Sequence, residues 1–429
     1  MKKLKLFGIS SAALMSASVI TAGISPVVTT AADKKTEIVL WDAMNGPYAK
    51  AMETMVQAFN DSQSKYIVKV QHQGTYQTLN EKIIASAKSK TLPDLSQATY
   101  TQVPDLKKMG IITNLDPYMV NGKNKLSEKK LNNIYPGFLS SSKYEGHYYS
   151  VPLSKSVRIM DVNTALLKKY NLEIPKTWDD VDHIAQVLKK DGKFAVGFDK
   201  SFDMELEGMT KAAGTKFITS KEKVQFGSKT VVDAATKLYN MINNKEAWTA
   251  GVDIYGTKRF VEGNTALYFA SSAGITATKE AAPEGFEWTT AVVPSYKGKI
   301  ATELAGNDLV MLNNGKTNKA KSAGAWAFMK FMLQDKQTLN WATSTGYLPL
   351  TKTATKSETY KKYLSENPLA KAASQSLPYG FQSTAFLGYN DYRTEMTSAV
   401  DQVLTNNKAP KDVFPASAKK MKEIIKDAK

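Results

Sequence analysis

Residues 38–70, IVLWDAMNGPYAKAMETMVQAFNDSQSKYIVKV, hold the pattern that decides the fold class. The run at 38–41 is short and apolar, which is typical of a buried strand. Gly46-Pro47 then marks the entry to a helix whose apolar side chains recur at helical spacing. The segment at 66–70 returns to a strand pattern. A strand–helix–strand unit is the building block of a mostly parallel sheet, so the segment predicts an α/β protein.

The rest of the chain repeats this alternation. Thr177 followed three residues later by Asp180 predicts a helix start with a capping box. Further elements are expected as helices at 79–87, 103–109, 181–188, 231–242, 319–333, 393–404 and 416–425, and as strands at 92–95, 194–198 and 266–269.

No internal repeat, low-complexity block or linker interrupts the pattern. Two lobes without a linker suggest that the chain crosses between them several times. Open α/β sheets bind ligands at the carboxyl ends of their strands, and a cleft between domains is a preferred ligand site. We therefore expect a cleft between two lobes that closes by hinge motion.

The first residues predict export. Residues 1–5 are basic, residues 6–22 carry no charge, and Thr29, Ala31 and Ala32 offer a small-residue cleavage site, which is the layout of a secretory signal peptide at 1–32. The apolar stretch is too broken to be a good membrane span. Removal would leave 397 residues and lower the formal net charge from +17 to +14. That length suits two or three domains.

Composition excludes several classes of function. The chain has no cysteine, which rules out disulfides, zinc–thiolate sites and thiol catalysis, and Gly23 stands where a lipoprotein signal would place its lipid-anchor cysteine. We expect a secreted, extracellular protein that its positive charge holds near the cell envelope. Arginine occurs only at Arg158, Arg259 and Arg393, without a nucleic-acid motif, so no nucleic-acid partner is expected.

Signals for catalysis are also missing. His72, His147 and His183 have no partner at a recognised catalytic spacing, and the sequence contains no nucleophile elbow, metal motif or phosphate loop. A pair of carboxylates for glycoside hydrolysis is the enzymatic arrangement that the sequence leaves open. We expect no enzyme, no cofactor and no metal.

Four stretches carry a family resemblance: residues 40–46, residues 152–163 with 174–178, residues 260–264 with 266–274, and residues 345–350. Their order along the chain resembles the extracellular solute-binding proteins of ABC importers (family 1), in the branch of maltodextrin- and glycerol-3-phosphate-binding proteins and closest to the latter.

The resemblance implies a two-lobed periplasmic-binding-protein-like fold with three hinge crossings and an interlobe cleft. It places lobe I at 33–152 and 273–343 and lobe II at 153–272 and 344–429. The implied partners are a small solute, either a phosphorylated glycerol or a sugar, and the importer's membrane subunits, with the protein itself a monomer.

The resemblance also implies the ligand-binding residues, which are Tyr76, Ser156, Ser272, Gly306, Tyr347 and Arg393. Ser271 is an alternative to Ser272. The family's glutamate for glycerol hydroxyls falls near Thr99-Tyr100, where no carboxylate stands, so Tyr100 is a second choice. Asp42 and Asn45 are further second choices because they lie at a strand-to-helix turn.

These residue types suit an anion. A planar guanidinium can meet two phosphate oxygens at once, and hydroxyls and a glycine N–H supply neutral donors. Three hypotheses stay open: a receptor for glycerol-3-phosphate or a related glycerophosphodiester, a receptor for a neutral sugar or oligosaccharide, and a cell-wall adhesin without a transport role. Outside the resemblance, Arg393 could instead be a surface residue paired with Asp391 or Glu395.

Overall fold

The structure is a computed structural model that describes residues 35–315 and 318–429. The predicted signal peptide at 1–32 lies outside the described residues. The strands are β1 (Thr36–Asp42), β2 (Tyr66–His72), β3 (Leu95–Ala98), β4 (Lys143–Tyr144), β5 (His147–Tyr148), β6 (Ser150–Asn163), β7 (Phe194–Phe198), β8 (Ala247–Thr249), β9 (Thr265–Ser271), β10 (Trp288–Ala291), β11 (Thr302–Met311) and β12 (Gly380–Phe381).

Helices cover both faces of the strands. They are α1 (Pro47–Asp61), α2 (Tyr76–Ser89), α3 (Val103–Lys108), α4 (Glu128–Asn133), α5 (Pro136–Ser140), α6 (Thr164–Lys169), α7 (Trp178–Leu188), α8 (Asp203–Ala212), α9 (Lys229–Asn243), α10 (Thr257–Val261), α11 (Ile275–Ala281), α12 (Lys319–Met332), α13 (Asp335–Thr345), α14 (Lys352–Lys356), α15 (Glu358–Glu366), α16 (Lys371–Ser376), α17 (Tyr389–Thr405) and α18 (Pro410–Ala428).

The main sheet has the strand order β2-β1-β3-β11-β6-β9-β7-β8, with β10 beside β6 and β12 beside β11. β1 pairs in parallel with β2 and β3, and β7 pairs in parallel with β8 and β9. The antiparallel strands β6 and β11 lie between these two parallel groups. The predicted α/β class is confirmed.

Strand β6 joins the two halves of the sheet. Its first half pairs with β11, where Val157 lies opposite Leu304. Its second half pairs with β9, where Arg158 lies opposite Ser271. All 14 residues of β6 are buried. A strand covered on both faces and shared by two half-sheets carries the chain from one half to the other.

Each half has its own hydrophobic core. The first core contains Ile38, Phe59, Trp326 and Trp341, and the second core contains Trp178, Phe198, Phe269 and Phe414. Separate cores on a shared sheet agree with the predicted two-lobed architecture.

Helix α1 illustrates how the sequence builds the first core. Pro47 occupies its first turn, where the missing N–H costs nothing. Met52, Met55, Val56 and Phe59 are buried at the predicted helical spacing. Each such side chain contributes about 1.5–3 kcal/mol when it leaves water.

The capping box predicted for α7 is confirmed. The Asp180 N–H donates to the Thr177 hydroxyl at 3.1 Å, and the Thr177 N–H donates to the Asp180 carboxylate at 2.9 Å. These bonds satisfy two donors that a helix start otherwise leaves free.

The lobe boundaries stay a prediction. Leu348 and Leu350 pack in the first core with Ile38, although the predicted boundary places them in lobe II. Val293 packs in the second core, although the predicted boundary places it in lobe I. This packing favours boundaries that assign residues near 348 to the first lobe and residues near 293 to the second.

A buried ion pair fixes β6 against β11. Lys155 Nζ lies 2.5 Å from Asp308 Oδ1, and both side chains are at most 1% exposed. The hydroxyls of Ser142 and Ser150 donate to the other Asp308 oxygen at 3.2 and 2.5 Å. The pair sits where the β11 register shifts, between Asn307 and Asp308, so it holds the strand segment next to Gly306.

Within residues 35–315 and 318–429, no helix combines the length and the apolar character that crossing a bilayer requires.

Candidate functional site

Three tyrosines lie close together near Asn307 of β11, and we call them the tyrosine cluster: Tyr48, Tyr76 and Tyr347. Tyr48 and Tyr347 contact the first core, whereas Tyr76 is 38% exposed. Tyr48 lies in the first turn of α1, and Tyr76 begins α2. Tyr347 follows Gly346, whose φ of 77° ends α13. The rings of Tyr48 and Tyr347 are 5.9 Å apart, and the hydroxyls of Tyr76 and Tyr347 interact. Two predicted ligand-binding residues therefore lie together.

The tyrosine cluster is electrically neutral. Burial raises the pKa of Tyr76 to about 12, and burial also raises the pKa of Tyr48 and of Tyr347. The phenols keep their protons at physiological pH and act as uncharged donors and acceptors. Such a wall can contact an apolar group with its rings and a hydroxyl with its edges.

Gly306 is required by backbone geometry. Its φ is 119°, and a Cβ added there would lie 1.9 Å from the carbonyl oxygen of Ser154. Only glycine allows β11 to approach β6 so closely at this point.

Asn307, the next residue, has an unused acceptor. Its amide nitrogen donates to the Tyr76 hydroxyl at 2.6 Å, and the side chain is fully buried. Its Oδ1 atom has no hydrogen-bond partner among the described residues. A buried acceptor without a partner costs about 1–3 kcal/mol, so Asn307 can accept a hydroxyl from a bound molecule.

The predicted serines lie at the strand crossings. Ser156 is buried opposite Ala305 of β11. The Ser272 hydroxyl accepts the N–H of Val157 at 3.2 Å, and the Ser271 hydroxyl accepts the N–H of Ala273 at 3.2 Å. Ser271 and Ser272 therefore stabilise the crossing after β9, whereas Ser156 lies between the two ends of the site.

Asp42 and Asn45 support the loops beneath Tyr76. Asp42 is fully buried and lies 2.6 Å from His72 Nδ1. Burial raises the pKa of Asp42, and the hydrogen bond with His72 opposes this shift. Asn45 donates to the carbonyl of Gly74 at 3.0 Å. Both residues position the loop that carries Tyr76.

Arg393 lies in an acidic environment at the other end of the site. Its Nη2 atom donates to Asp203 at 3.0 Å, and 36% of its side chain is exposed. Burial alone would lower the pKa of Arg393, but the charge of Asp203 and the neighbouring groups raise it above its usual value. The partner is thus neither Asp391 nor Glu395, the two surface partners considered for Arg393 from the sequence.

We call Asp203, Glu207 and Glu303 the acid cluster. Burial raises the pKa of Glu207 to about 7 and, together with the charge of Glu207, raises the pKa of Glu303 to about 8. Arg393 partly offsets both shifts. These two carboxyls therefore hold protons up to near-neutral pH, so the charge around Arg393 depends on pH.

Tyr100 borders the acid cluster. It is 8% exposed, its 3₁₀ turn packs against α17, and the charges of Glu303 and Glu207 add to the burial that raises its pKa. The sequence placed no carboxylate near Tyr100. In space, Glu207 from α8 and Glu303 from β11 lie there.

The acid cluster makes stability depend on pH. Glu207 and Glu303 hold protons more tightly in the folded chain than in the unfolded chain, where their pKa is near 4.5. The folded state therefore loses stability as pH rises from about 4.5 to about 8. In Glu303→Gln, we expect the free energy of unfolding to fall by on the order of 2 kcal/mol less over this pH range than in the unaltered protein.

Denaturant unfolding at pH 5.5, 7 and 8.5 measures this effect. Glu205 and Asp161 also have a pKa raised to about 7 by burial. The free energy of unfolding of Glu303→Gln should therefore still fall with pH, but less steeply. If the free energy of unfolding depends on pH equally in both proteins, Glu303 ionises normally in the folded protein.

The predicted residues are thus divided between two groups that share β11. Tyr76, Gly306 and Tyr347 lie at one end, and Arg393 lies at the other beside Glu303. Glu303 and Asn307 are four residues apart in the strand, which corresponds to about 13 Å.

A cavity of about 340 Å³ adjoins Tyr347. Its polar lining includes Thr276, Lys279, Thr345, Tyr363 and Glu366. A volume of this size can hold a small organic molecule. Among the described residues, no group of acidic, histidine or cysteine side chains could hold a metal ion.

Sequence reasoning missed Tyr48, Asn307 and the acid cluster. A signal existed for two of them. Glu303 is an acidic residue in a strand-like run, and Asn307 directly follows the predicted Gly306. Asp203 and Glu207 gave no such signal because α8 meets α17 only through the tertiary fold.

Comparison with known proteins gives a family match. The model described as bacterial extracellular solute-binding protein matches residues 54–368. The sn-glycerol-3-phosphate-binding periplasmic protein UgpB of Escherichia coli strain K12 is 22% identical over 411 residues, which covers 91% of this chain and 93% of the relative.

Two solved structures share the fold. The cyclic alpha-maltosyl-1,6-maltose binding protein from Arthrobacter globiformis superposes with a TM-score of 0.80 at 20% identity, covering 92% of this chain and 100% of that one. UgpB from Mycobacterium tuberculosis, in complex with glycerophosphocholine, superposes with a TM-score of 0.79 at 20% identity, covering 92% and 99%.

Proposed function

Because the chain belongs to the bacterial extracellular solute-binding protein family, we propose that its solute is glycerol-3-phosphate or a related glycerophosphodiester. The protein is a solute-binding component of an ABC importer and not an enzyme, which confirms the family resemblance. The names of two similar proteins, which bind glycerol-3-phosphate and glycerophosphocholine, support this choice of solute.

The observation that carries the proposal is the hydrogen bonding and solvent exposure of the Arg393 guanidinium. A guanidinium has five N–H donors, and Asp203 accepts from one of its nitrogen atoms. About a third of the side chain is open to solvent, so donors remain for a phosphate oxygen. Asp203 holds the guanidinium in place, which lowers the entropic cost of binding an anion.

The acid cluster favours a phosphodiester over a phosphate monoester. A monoester carries a charge of about −1.5 to −2 near neutral pH. A diester carries a single negative charge and is repelled less by Glu207 and Glu303. The same carboxyls can accept glycerol hydroxyls, and they would replace the family glutamate that is missing near Tyr100.

The proposed architecture explains how the solute would be delivered to the importer. The solute would bind between a first lobe with the tyrosine cluster and a second lobe with Arg393, and closure would form the surface that the importer's membrane subunits recognise. We propose that the protein acts as a monomer, and that it is secreted and held at the cell envelope by its positive charge.

A neutral oligosaccharide is the second candidate. The uncharged tyrosine cluster and the unused Asn307 acceptor suit sugar rings and hydroxyls. The carboxyl groups around Arg393 reduce its attraction for an anion. The structural similarity to a maltosyl-maltose binding protein agrees with this candidate.

Calorimetric titration separates the candidates. The solutes are glycerophosphocholine, glycerol-3-phosphate and maltotriose, each at two salt concentrations and at pH 6 and 8.5. We expect glycerophosphocholine to bind most tightly, and its affinity to fall with salt and with rising pH as Glu207 and Glu303 lose protons. Maltotriose binding without salt dependence would support the second candidate. Heat from none of the solutes, with tight wall binding, would support an adhesin.

A further inference from the structure

A strained turn carries exposed apolar side chains after strand β8. The N–H of Tyr255 donates to the carbonyl of Asp253 at 2.7 Å, which closes a three-residue turn around Ile254. Ile254 has φ 64° and ψ −52°. This is the rarer and strained form of the γ-turn, and a β-branched residue at positive φ is a backbone outlier. Strain of this kind persists only where the surrounding structure enforces it.

Both ends of the turn are anchored in the second half of the molecule. The N–H of Ala250 donates to the carbonyls of Phe198 and Asp199 at 3.1 and 3.0 Å. At the other end, the N–H of Gly256 donates to the Tyr268 hydroxyl at 2.9 Å. Tyr268 is 1% exposed, so this end of the turn is bonded to a buried side chain.

Close packing at Gly256 adds to the anchoring. A Cβ at this position would lie 2.7 Å from the Trp248 ring and 2.8 Å from the Tyr268 ring. Trp248 is 3% exposed. The turn is therefore held against two buried rings and is not a loose surface loop.

The anchored turn nevertheless exposes its apolar side chains. Val252 is 96% exposed, Ile254 is 52% exposed and Tyr255 is 70% exposed. They account for three residues within a stretch of four. The turn is strained and anchored, yet it keeps an aromatic ring in solvent. This combination indicates that the exposed side chains contact another molecule.

Packing places Tyr255 near the tyrosine cluster. Helix α10 begins two residues after Tyr255 and packs against α11. The carbonyl of Ala273, two residues before α11, accepts a hydrogen bond from the Tyr48 hydroxyl at 3.1 Å. Burial is the main cause of the raised pKa of Tyr48, Tyr76 and Tyr347, and the charge of an ionised Tyr255 adds a small part to each shift.

We propose that Tyr255 is a solute-contacting residue that faces the tyrosine cluster and packs its ring on a C–H-rich face of the bound solute. This inference rests on the proposed solute-binding function and adds a specificity-determining residue from the second lobe. The C–H-rich face is either the trimethylammonium group of a choline head or the ring of a sugar. Aromatic faces attract both.

Tyr255→Ala tests the proposal by calorimetry with glycerophosphocholine, glycerol-3-phosphate and maltotriose. We expect the affinity for glycerophosphocholine or maltotriose, whichever the unaltered protein binds, to fall about tenfold. The affinity for glycerol-3-phosphate, which lacks such a face, should stay within about twofold. Tyr255→Phe should keep the affinity, since the ring and not the hydroxyl makes the contact. Val252→Ala is the matched control from the same turn and should change nothing.

The outcomes are distinguishable. If the unaltered protein binds glycerophosphocholine or maltotriose and Tyr255→Ala binds that solute equally well, this inference is overturned while the proposed function stands. If the unaltered protein binds glycerol-3-phosphate alone among the three, the inference is likewise overturned, because the ring then has no C–H-rich face to contact. If the unaltered protein binds none of the three solutes, the proposed function fails, and the inference fails with it. A choline-specific loss identifies a methylated head group, and a maltotriose-specific loss identifies a sugar ring.

Ile254→Gly provides a second test, because it should raise the stability of the protein while it lowers the affinity for solute. Glycine adopts a positive φ without strain, so the thermal unfolding midpoint should rise by about 1–3 °C. The freed turn should hold Tyr255 less rigidly, and solute affinity should fall about threefold. A gain in stability with no loss of affinity would show that the strain does not serve binding.

Discussion

Replacing Arg393 with alanine is expected to lower the affinity for glycerophosphocholine about 100-fold. The guanidinium supplies a fixed positive charge for the phosphate, and charge-assisted hydrogen bonds are the stronger class. The loss corresponds to about 2.7 kcal/mol at about 1.4 kcal/mol for each tenfold change. Calorimetry at low salt measures it directly.

Three companion variants make the result interpretable. Arg393→Lys keeps the charge but loses the planar fork, and it should recover only part of the affinity. Asp203→Asn keeps an oxygen acceptor that can hold the guanidinium in place but removes the competing negative charge, so it should raise the affinity severalfold. Lys229→Ala, on the exposed start of α9, removes the same charge from a remote position and should have no effect. Equal affinity in Arg393→Ala and the unaltered protein would contradict the assigned role.

Replacing Asp308 with alanine is expected to reduce the free energy of unfolding by about 3–5 kcal/mol. The change leaves the Lys155 ammonium buried without its counter-charge, and it leaves the hydroxyls of Ser142 and Ser150 without an acceptor. Denaturant unfolding of the protein at pH 7 measures the loss.

The double variant Lys155→Met/Asp308→Leu is the matched control. It removes both charges and fills the site with apolar side chains of similar size, so it should recover most of the stability. A single Asp308→Ala variant within 1 kcal/mol of the unaltered protein would show that the Lys155 charge reaches solvent.

Local patterns were enough to predict several helices of the fold. Apolar spacing predicted α1, and Thr177 with Asp180 predicted the start of α7, because capping and amphipathic packing depend on neighbours in sequence. The resemblance in residues 345–350 directed attention to Tyr347, which the structure places beside Tyr76.

The charges around Arg393 were not predictable in the same way. Asp203 and Glu303 lie 190 and 90 residues away in sequence, and no periodic pattern links a residue of α8 or β11 to α17. Their pKa shifts arise from shared burial, which exists only after the tertiary fold forms. The exposed Tyr255 was missed because backbone strain at Ile254 leaves no mark in composition or hydropathy.

A crystal structure of the protein with glycerophosphocholine tests the central claim most directly. We expect the solute between the two cores, with a phosphate oxygen within hydrogen-bond distance of the Arg393 guanidinium and the choline head near the tyrosine cluster. A solute bound outside the region between the cores, or a phosphate out of reach of Arg393 while Asp203 keeps the guanidinium, would contradict it.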